Sequence, residues 1–126
     1  MSRLARHRVV VVDESPRQRS LLVLMLGMHP DVDVVGEGGD GYDIVWLALN
    51  HQPDVVVCDL GLPPMDSLDA LPLVRTIAPA TKVLVCAPTE DGAAEALRRG
   101  ADACMTRGTP TSTLVEKVRE VATMLA

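Results

Sequence analysis

Acidic residues follow two of the most apolar runs in the chain, at the points where those runs end. Asp13 and Glu14 come directly after Val9–Val12, and Asp59 comes directly after Val55–Cys58. Carboxylates gathered at one place repel one another and their pKa values rise, unless a cation neutralises them. Magnesium suits such a group because it accepts carboxylate oxygens, keeps several waters and tolerates phosphate oxygens. The acids therefore predict a Mg²⁺ site if the two runs are neighbouring strands.

The loop LGLPP follows Asp59 directly, and its glycine and two prolines prevent a helix from starting there. We expect this loop to turn a backbone carbonyl, that of Gly61, toward the cation. Asp13 and Glu14 have a second interpretation, because acidic residues are also favoured at the N-termini of helices. That interpretation does not fit Asp59, which has no helix directly after it.

Hydrophobic periodicity predicts short strands that alternate with longer helices. The strands are predicted at Val9–Val12, Val32–Val35, Val55–Cys58, Val83–Cys86 and Ala103–Met105. The helices are predicted at Pro16–Met28, Tyr42–Asn50, Leu68–Ile77, Gly92–Arg99 and from Thr111 to about Leu125. Strands that lack polar faces and alternate with helices indicate a parallel sheet covered on both sides.

The predicted architecture is an α/β fold of the flavodoxin-like (βα)5 type, a three-layer sandwich around a parallel five-stranded sheet. Right-handed crossovers favour the strand order 2-1-3-4-5 at this size. The functional crevice of such a sheet lies beyond the carboxyl ends of the first and third strands, where the order switches. With no long linker and no internal repeat, we expect residues 1–126 to form a single domain.

Composition excludes several classes of function. The net charge of −5 argues against a nucleic-acid surface within this chain. No apolar run approaches the roughly 20 residues of a membrane span, so we expect a cytoplasmic protein with no membrane partner. The three cysteines, Cys58, Cys86 and Cys104, are spaced for neither a metal clip nor a disulfide framework, and are expected to be small buried strand residues.

The chain resembles the receiver domains of bacterial two-component response regulators. The resemblance is carried by VVVVDESP at the first strand, PDVVVCDLGLPPMDSLDAL around the third, KVLVCAP at the fourth and ALRRGADACMTRGTP across the fifth. The segments GYDIVWLALNHQPDVVVCDLGLP and TPTSTLVEKVREV are most similar to receivers that carry a LuxR-type output domain. No such output domain lies within these 126 residues, so DNA contact is expected only through a further domain.

The resemblance implies a role for each acid. Asp59 corresponds to the aspartate that accepts a phosphoryl group from a sensor histidine kinase. Asp13 and Glu14, with Asp59 and the carbonyl of Gly61, correspond to the ligands of Mg²⁺. A carboxylate is a competent phosphoryl acceptor, and the transfer needs mainly positioning and charge neutralisation. The resemblance implies a signalling domain and not an enzyme.

Three positions depart from the family pattern. Ala87 stands where receivers carry Thr or Ser, and Thr89 is considered as a substitute hydroxyl. Arg107 stands at the usual Lys position, where its planar fork either replaces the ammonium or clamps Asp59 in a bidentate ion pair. Cys104 stands at the place of the switch aromatic. The chain is therefore an atypical receiver.

Tyr42, Trp46 and Leu49 occur at i, i+4 and i+7 of the second predicted helix, where the family usually has polar residues. If these side chains face outward, they form a contact patch for a partner or for a homodimer. If the helix is rotated, Trp46 belongs to the core. The first helix shows a weaker version, since Val23 or Leu24 should also face outward.

Three functions follow from these observations. The first is a receiver that is phosphorylated on Asp59 with Mg²⁺. The second is a pseudo-receiver, a protein-interaction or dimerisation module that works without phosphate, favoured by Ala87, Cys104 and Arg107. The third is a flavin- or nucleotide-binding enzyme, which is disfavoured because DESPRQRS places acids where a phosphate needs donors.

Overall fold

The computed structural model describes residues 6–62 and 64–124. Its five strands are β1 (His7–Val12), β2 (Val32–Gly38), β3 (Val55–Asp59), β4 (Lys82–Ala87) and β5 (Ala103–Thr106). Its five helices are α1 (Pro16–Gly27), α2 (Gly41–His51), α3 (Ser67–Ile77), α4 (Glu90–Arg98) and α5 (Thr111–Ala122). The predicted end of the last helix, Leu125, lies outside the described residues.

The strands form one parallel sheet in the order β2-β1-β3-β4-β5. The predicted flavodoxin-like (βα)5 fold and its strand order are confirmed. Aliphatic side chains from both faces of the central strands build two separate core layers, one under α2, α3 and α4 and one under α1 and α5. The central strands are buried on both faces, as their continuous valine runs predict.

Side-chain capping hydrogen bonds mark the N-termini of several helices, and one of these N-termini differs from the prediction. Ser15 caps α1, and Pro16 occupies its first turn. Asp40 and Asp43 form a reciprocal capping box at the start of α2. α4 begins at Glu90 and not at the predicted Gly92, because the Thr89 hydroxyl accepts a hydrogen bond from the Gly92 amide at 3.0 Å and so caps the helix.

The loop after β3 is fixed by close backbone contacts. The Leu60 amide donates to the Cys86 carbonyl at 3.1 Å, which ties the start of the loop to β4. Gly61 has a φ of +75°, in the left-handed region that glycine adopts without strain. Gly41, at the start of α2, packs so closely on the Met65 carbonyl that a Cβ there would overlap it. The loop is therefore held by β4 at its start and by α2 at Met65.

α2 presents an apolar outer face. Ile44 and Ala48 are buried against the sheet, as predicted, whereas Tyr42, Trp46 and Leu49 are 56%, 61% and 50% exposed. The alternative in which Trp46 belongs to the core is therefore wrong. On α1, Leu24 is 64% exposed, in agreement with the weaker apolar face predicted there.

None of the described helices has the length and apolar character needed to cross a membrane.

Candidate functional site

A cleft of about 680 Å³ opens at the carboxyl ends of the strands and continues between α1 and α5. Five of the residues predicted for the site line it, namely Asp13, Glu14, Asp59, Ala87 and Arg107. Its remaining lining comes from Ser15, Gln18, Leu22, Cys86, Met105, Thr106, Gly108, Thr109, Thr111 and Leu114. The fold thus brings together side chains from the ends of β1, β3, β4 and β5.

Asp13 is held rigidly and is almost completely buried, with 2% of its surface exposed. Its backbone amide donates to the Gly38 carbonyl at 3.1 Å, and its own carbonyl accepts from the Arg19 guanidinium at 2.9 Å. Its Oδ1 accepts from the Ser15 amide at 2.9 Å. Its Oδ2 is buried and has no hydrogen-bond partner among the described residues. A buried carboxylate oxygen without a partner is costly, so this atom is suited to a ligand.

Asp59 is the last residue of β3, and its surroundings raise its pKa from 3.8 to about 7. The largest cause is burial, which disfavours the charged form, and the next is the neighbouring Asp13, which favours a proton shared between the two acids and repels the charge of Asp59. Two ionised carboxylates cannot hydrogen-bond, so a bond between these acids requires that shared proton, and Asp13 Oδ2 has no partner among the described residues without it. Arg107 lowers the pKa of Asp59, and Glu14 adds a small rise.

The acid pair fits a hard divalent cation. Asp13 offers a buried oxygen without a partner among the described residues, and Asp59 offers a carboxylate whose charged form is destabilised. Mg²⁺ needs few protein oxygens, because it keeps several of its waters. Within residues 6–62 and 64–124 there is no ready-made group of three or more His, Cys, Asp or Glu ligands. Glu14 lines the cleft but is solvent-exposed, and Gly61 lies outside the cleft lining. The predicted ligand roles of Glu14 and Gly61 stay predictions.

The end of β4 offers no hydroxyl to the cleft. Ala87 is buried, with 2% exposure, and Thr89 is exposed, lies outside the cleft lining and uses its hydroxyl to cap α4. The residue that sequence reasoning missed is Thr106, which lines the cleft and is the register partner of Ala87 on β5. Its hydroxyl makes no hydrogen bond to the described part of the chain. Thr106 lies beside Ala87 because of the strand register, which cannot be read from the sequence.

Arg107 acts on Asp59 through charge and not through contact. Its guanidinium lowers the pKa of Asp59, yet it forms no ion pair with any carboxylate of the described residues. The bidentate clamp considered from the sequence is therefore not present. The backbone amide of Arg107 donates to the Ala87 carbonyl at 2.9 Å, which fixes the start of the loop while the exposed side chain keeps its freedom.

The cysteines are free, and only Cys58 is fully buried as expected, whereas Cys86 and Cys104 are partly buried. Cys86 lies in the cleft beside Asp59, and burial, followed by the charges of Asp59 and Asp13, raises its pKa to about 12. Burial also raises the pKa of Cys104, which is partly buried and donates its thiol hydrogen to the Ala93 carbonyl. The two residues are thus protonated thiols at neutral pH and lack nucleophilic character.

A doubly wound parallel sheet, with paired carboxylates in the crevice where β1 and β3 diverge, defines a flavodoxin-like protein with a receiver-type acidic site. The chain belongs to the response regulator receiver domain family, whose family model matches residues 9–119. It is therefore a receiver domain of two-component signalling.

Two curated bacterial proteins share this sequence pattern. A protein-glutamate methylesterase/protein-glutamine glutaminase of Thermotoga maritima is 40% identical over 97 residues, which make up 75% of this chain and 28% of that protein. The transcriptional regulatory protein YxjL of Bacillus subtilis is 30% identical over 117 residues, 91% of this chain and 54% of that protein. The chain spans only part of the length of these relatives.

Solved structures show the same fold. The NarL signal receiver domain of Mycobacterium tuberculosis superposes with a TM-score of 0.87 at 31% identity, covering 94% of this chain and 97% of that one. The response regulator domain of Thermotoga maritima CheB gives a TM-score of 0.86 at 30% identity, covering 96% of this chain and 99% of that one.

Proposed function

We propose that this receiver accepts a phosphoryl group on Asp59 from a sensor histidine kinase, with Mg²⁺, and passes the signal to a transcriptional output. The observation that carries the proposal is the pairing of Asp59 with Asp13, whose buried Oδ2 has no partner within the described residues. Two carboxylates placed together at a strand edge weaken the fold unless something neutralises them. Their arrangement is explained by a ligand that brings positive charge.

The chemistry follows from the position of Asp59. Its carboxylate oxygen attacks the phosphorus of a phosphohistidine, an O–P bond forms, the P–N bond breaks and its electron pair returns to the imidazole nitrogen. Asp59 must be ionised to attack, so the high pKa caused by burial and by Asp13 works against the reaction at neutral pH. Arg107 opposes that effect by stabilising the ionised form.

Asp13 and Asp59 would hold the cation, with Glu14 and the Gly61 carbonyl as further predicted ligands. Bound there, Mg²⁺ supplies the charge neutralisation that phosphoryl transfer needs. Asp13 contributes a rigid oxygen, because hydrogen bonds fix both its backbone and its Oδ1.

The conformational response to phosphorylation is expected to be weak. A hydroxyl contact to a charged phosphoryl oxygen is worth about 1.5–3 kcal/mol, and Ala87 cannot make it. A two-state domain needs about 5.5 kcal/mol of differential binding to move from mostly off to mostly on. Losing one such contact leaves phosphorylation chemically possible but lets the domain switch only partly, unless the Thr106 hydroxyl replaces it.

The direct test is incubation with a small phosphodonor and Mg²⁺, followed by intact mass measurement. We expect the wild type to gain one phosphoryl group that hydroxylamine removes, because the product is an acyl phosphate. Asp59→Asn should gain none, whereas Asp91→Asn, an exposed acid in the first turn of α4, should gain as much as the wild type. An unlabelled wild type, under conditions that label an ordinary receiver, would refute the proposal.

The second candidate is a pseudo-receiver that acts without phosphate. Two observations favour it: Ala87 buries a methyl group where a hydroxyl is needed, and Arg107 already supplies a positive charge near Asp59. This alternative predicts that Asp59→Asn leaves partner binding or promoter control unchanged. The family match disfavours the third possibility, a flavin- or nucleotide-binding enzyme.

The remaining roles belong to the same proposal. We place the chain in the cytoplasm, where its histidine kinase would phosphorylate it, and regard residues 1–126 as one receiver unit without catalytic activity of its own. Any DNA contact would come through a separate output domain.

A further inference from the structure

The outer face of α2 is apolar and free of charge. Tyr42, Trp46 and Leu49 are all at least half exposed, on the side of the helix opposite the buried Ile44 and Ala48. α2 has three ionisable side chains: the Tyr42 phenol, Asp43 and the terminal His51. The capping box holds Asp43 at the first turn. We call Tyr42, Trp46, Leu49 and the neighbouring Asn50 the α2 face. A single exposed apolar residue is ordinary, but three in line form a patch.

The α2 face has the area of a weak interface. Half-exposed Tyr, Trp and Leu side chains together present roughly 300–400 Å², within the range of functional patches on monomers. Two such faces would bury roughly 600–800 Å² in total, below the ~1,200 Å² at which standard stable interfaces begin. The α2 face therefore fits a transient contact and not an obligate one.

The α2 face is also symmetric about its centre. Tyr42 and Asn50 each lie four residues from Trp46, so a two-fold axis through Trp46 in an antiparallel helix pair places Tyr42 of one copy beside Asn50 of the other. The Asn50 amide nitrogen donates to the Trp46 carbonyl at 2.8 Å, which leaves its Oδ1 to accept. The Tyr42 hydroxyl donates to no group in the described part of the chain. A second copy that runs antiparallel would therefore bring the Tyr42 donor of one chain to the Asn50 acceptor of the other.

We propose that this chain forms a symmetric homodimer through antiparallel packing of α2 on α2, centred on Trp46. Each copy carries a net charge of −5, so two copies repel over most of their surfaces. An uncharged face lets them meet without placing like charges in contact, and antiparallel helices also align their dipoles favourably. Salt should strengthen the dimer, because it screens the remaining repulsion.

Sedimentation equilibrium of this chain, together with the emission of its only tryptophan, tests the proposal. We expect half-dimerisation near a concentration of the order of 0.1 mM, with a blue shift of Trp46 emission as the dimer forms. Trp46→Glu and Leu49→Glu should each weaken the dimer at least tenfold. Leu24→Glu on α1 removes an equally exposed apolar side chain from another surface and should leave the dimer intact. Far-UV circular dichroism checks that each variant is folded.

Mixing two variants tests the orientation. Tyr42→Lys and Asn50→Glu should each dimerise poorly alone, yet mixed they should form a heterodimer, because the antiparallel arrangement places Lys beside Glu across the axis. A wild type that stays monomeric at 1 mM would overturn the proposal and assign the α2 face to a different partner. A dimer that Leu24→Glu breaks and Trp46→Glu does not would overturn it as well, and so would a mixture that fails to associate.

Discussion

Replacing Asp59 with Asn removes one of the two charges of the acid pair and nearly preserves the shape of the side chain. Burial and Asp13 raise the pKa of Asp59 from 3.8 to about 7, so the folded protein holds this proton more tightly than the unfolded chain does. The resulting stabilisation is complete below pH 3.8 and is lost as the pH rises through about 7. Asn does not titrate, so Asp59→Asn does not suffer this loss. The variant should therefore be more stable than the wild type above neutral pH.

The magnitude follows from the two pKa values. They differ by about three, and about 1.4 kcal/mol per pKa unit gives about 4 kcal/mol for a group without solvent contact. Asp59 is only partly buried, and solvent screening reduces the expected value to about 1–2 kcal/mol. The Asn amide can also donate a hydrogen bond to Asp13 Oδ2, which has no partner among the described residues, and this bond would further stabilise Asp59→Asn relative to the wild type.

Urea unfolding at pH 4 and pH 8, with a chelator present, measures the effect. Between these values the wild type should lose about 1–2 kcal/mol relative to Asp59→Asn. Adding Mg²⁺ at pH 8 should then stabilise the wild type and leave Asp59→Asn unchanged, because only the wild type keeps both carboxylates. The reasoning fails if the difference is the same at both pH values, or if the variant is the less stable protein at pH 8.

Three further results follow from the same site. Mg²⁺ affinity measured by calorimetry should fall below pH 7, approaching about tenfold per pH unit, because protons compete for Asp59; a constant affinity would place the cation elsewhere. In a carbon-13 NMR titration, Arg107→Gln should raise the pKa of Asp59 above about 7 while Arg107→Lys keeps it near 7; an unmoved pKa in the Gln variant would remove Arg107 from the site. Ala87→Thr should strengthen beryllofluoride binding by about 1.5–3 kcal/mol, and Ala87→Val, which adds the same volume without a hydroxyl, should not; equal effects would point to packing alone.

The fold was predictable because hydrophobic patterning and strand connection rules act on long segments. The valine-rich runs at Val9–Val12 and Val55–Cys58 favour strands buried on both faces, because they are short and β-branched, and right-handed crossovers then restrict the order. Boundaries were less certain. α4 starts at Glu90 because the Thr89 hydroxyl caps it, whereas the sequence had offered the same hydroxyl as a substitute in the cleft. A single hydroxyl has two plausible tasks, and only coordinates show which it performs.

The site was predictable at its acids and not at its periphery. Asp13 and Asp59 lie together because they stand at the carboxyl ends of two neighbouring parallel strands, which the sequence pattern predicts. Thr106 enters the cleft through a pairing with Ala87 that depends on register. Arg107 keeps its charge near Asp59 without an ion pair, which depends on the rotamer of a long exposed side chain and on the Gly108 turn. Register and rotamer are not encoded in local sequence patterns.

The acid pair explains why the departures at β4 and β5 need not abolish function. A cleft that buries two carboxylates together lowers the stability of the unliganded fold, and any species that neutralises them recovers that free energy. The recovery depends on Asp13 and Asp59, and Ala87 takes no part in it. Cation binding and phosphoryl acceptance can therefore persist after the hydroxyl is lost, while the coupling from the cleft to the rest of the domain weakens. A receiver of this kind would still bind Mg²⁺ and accept a phosphoryl group but would switch only partly, so binding and switching have to be measured separately.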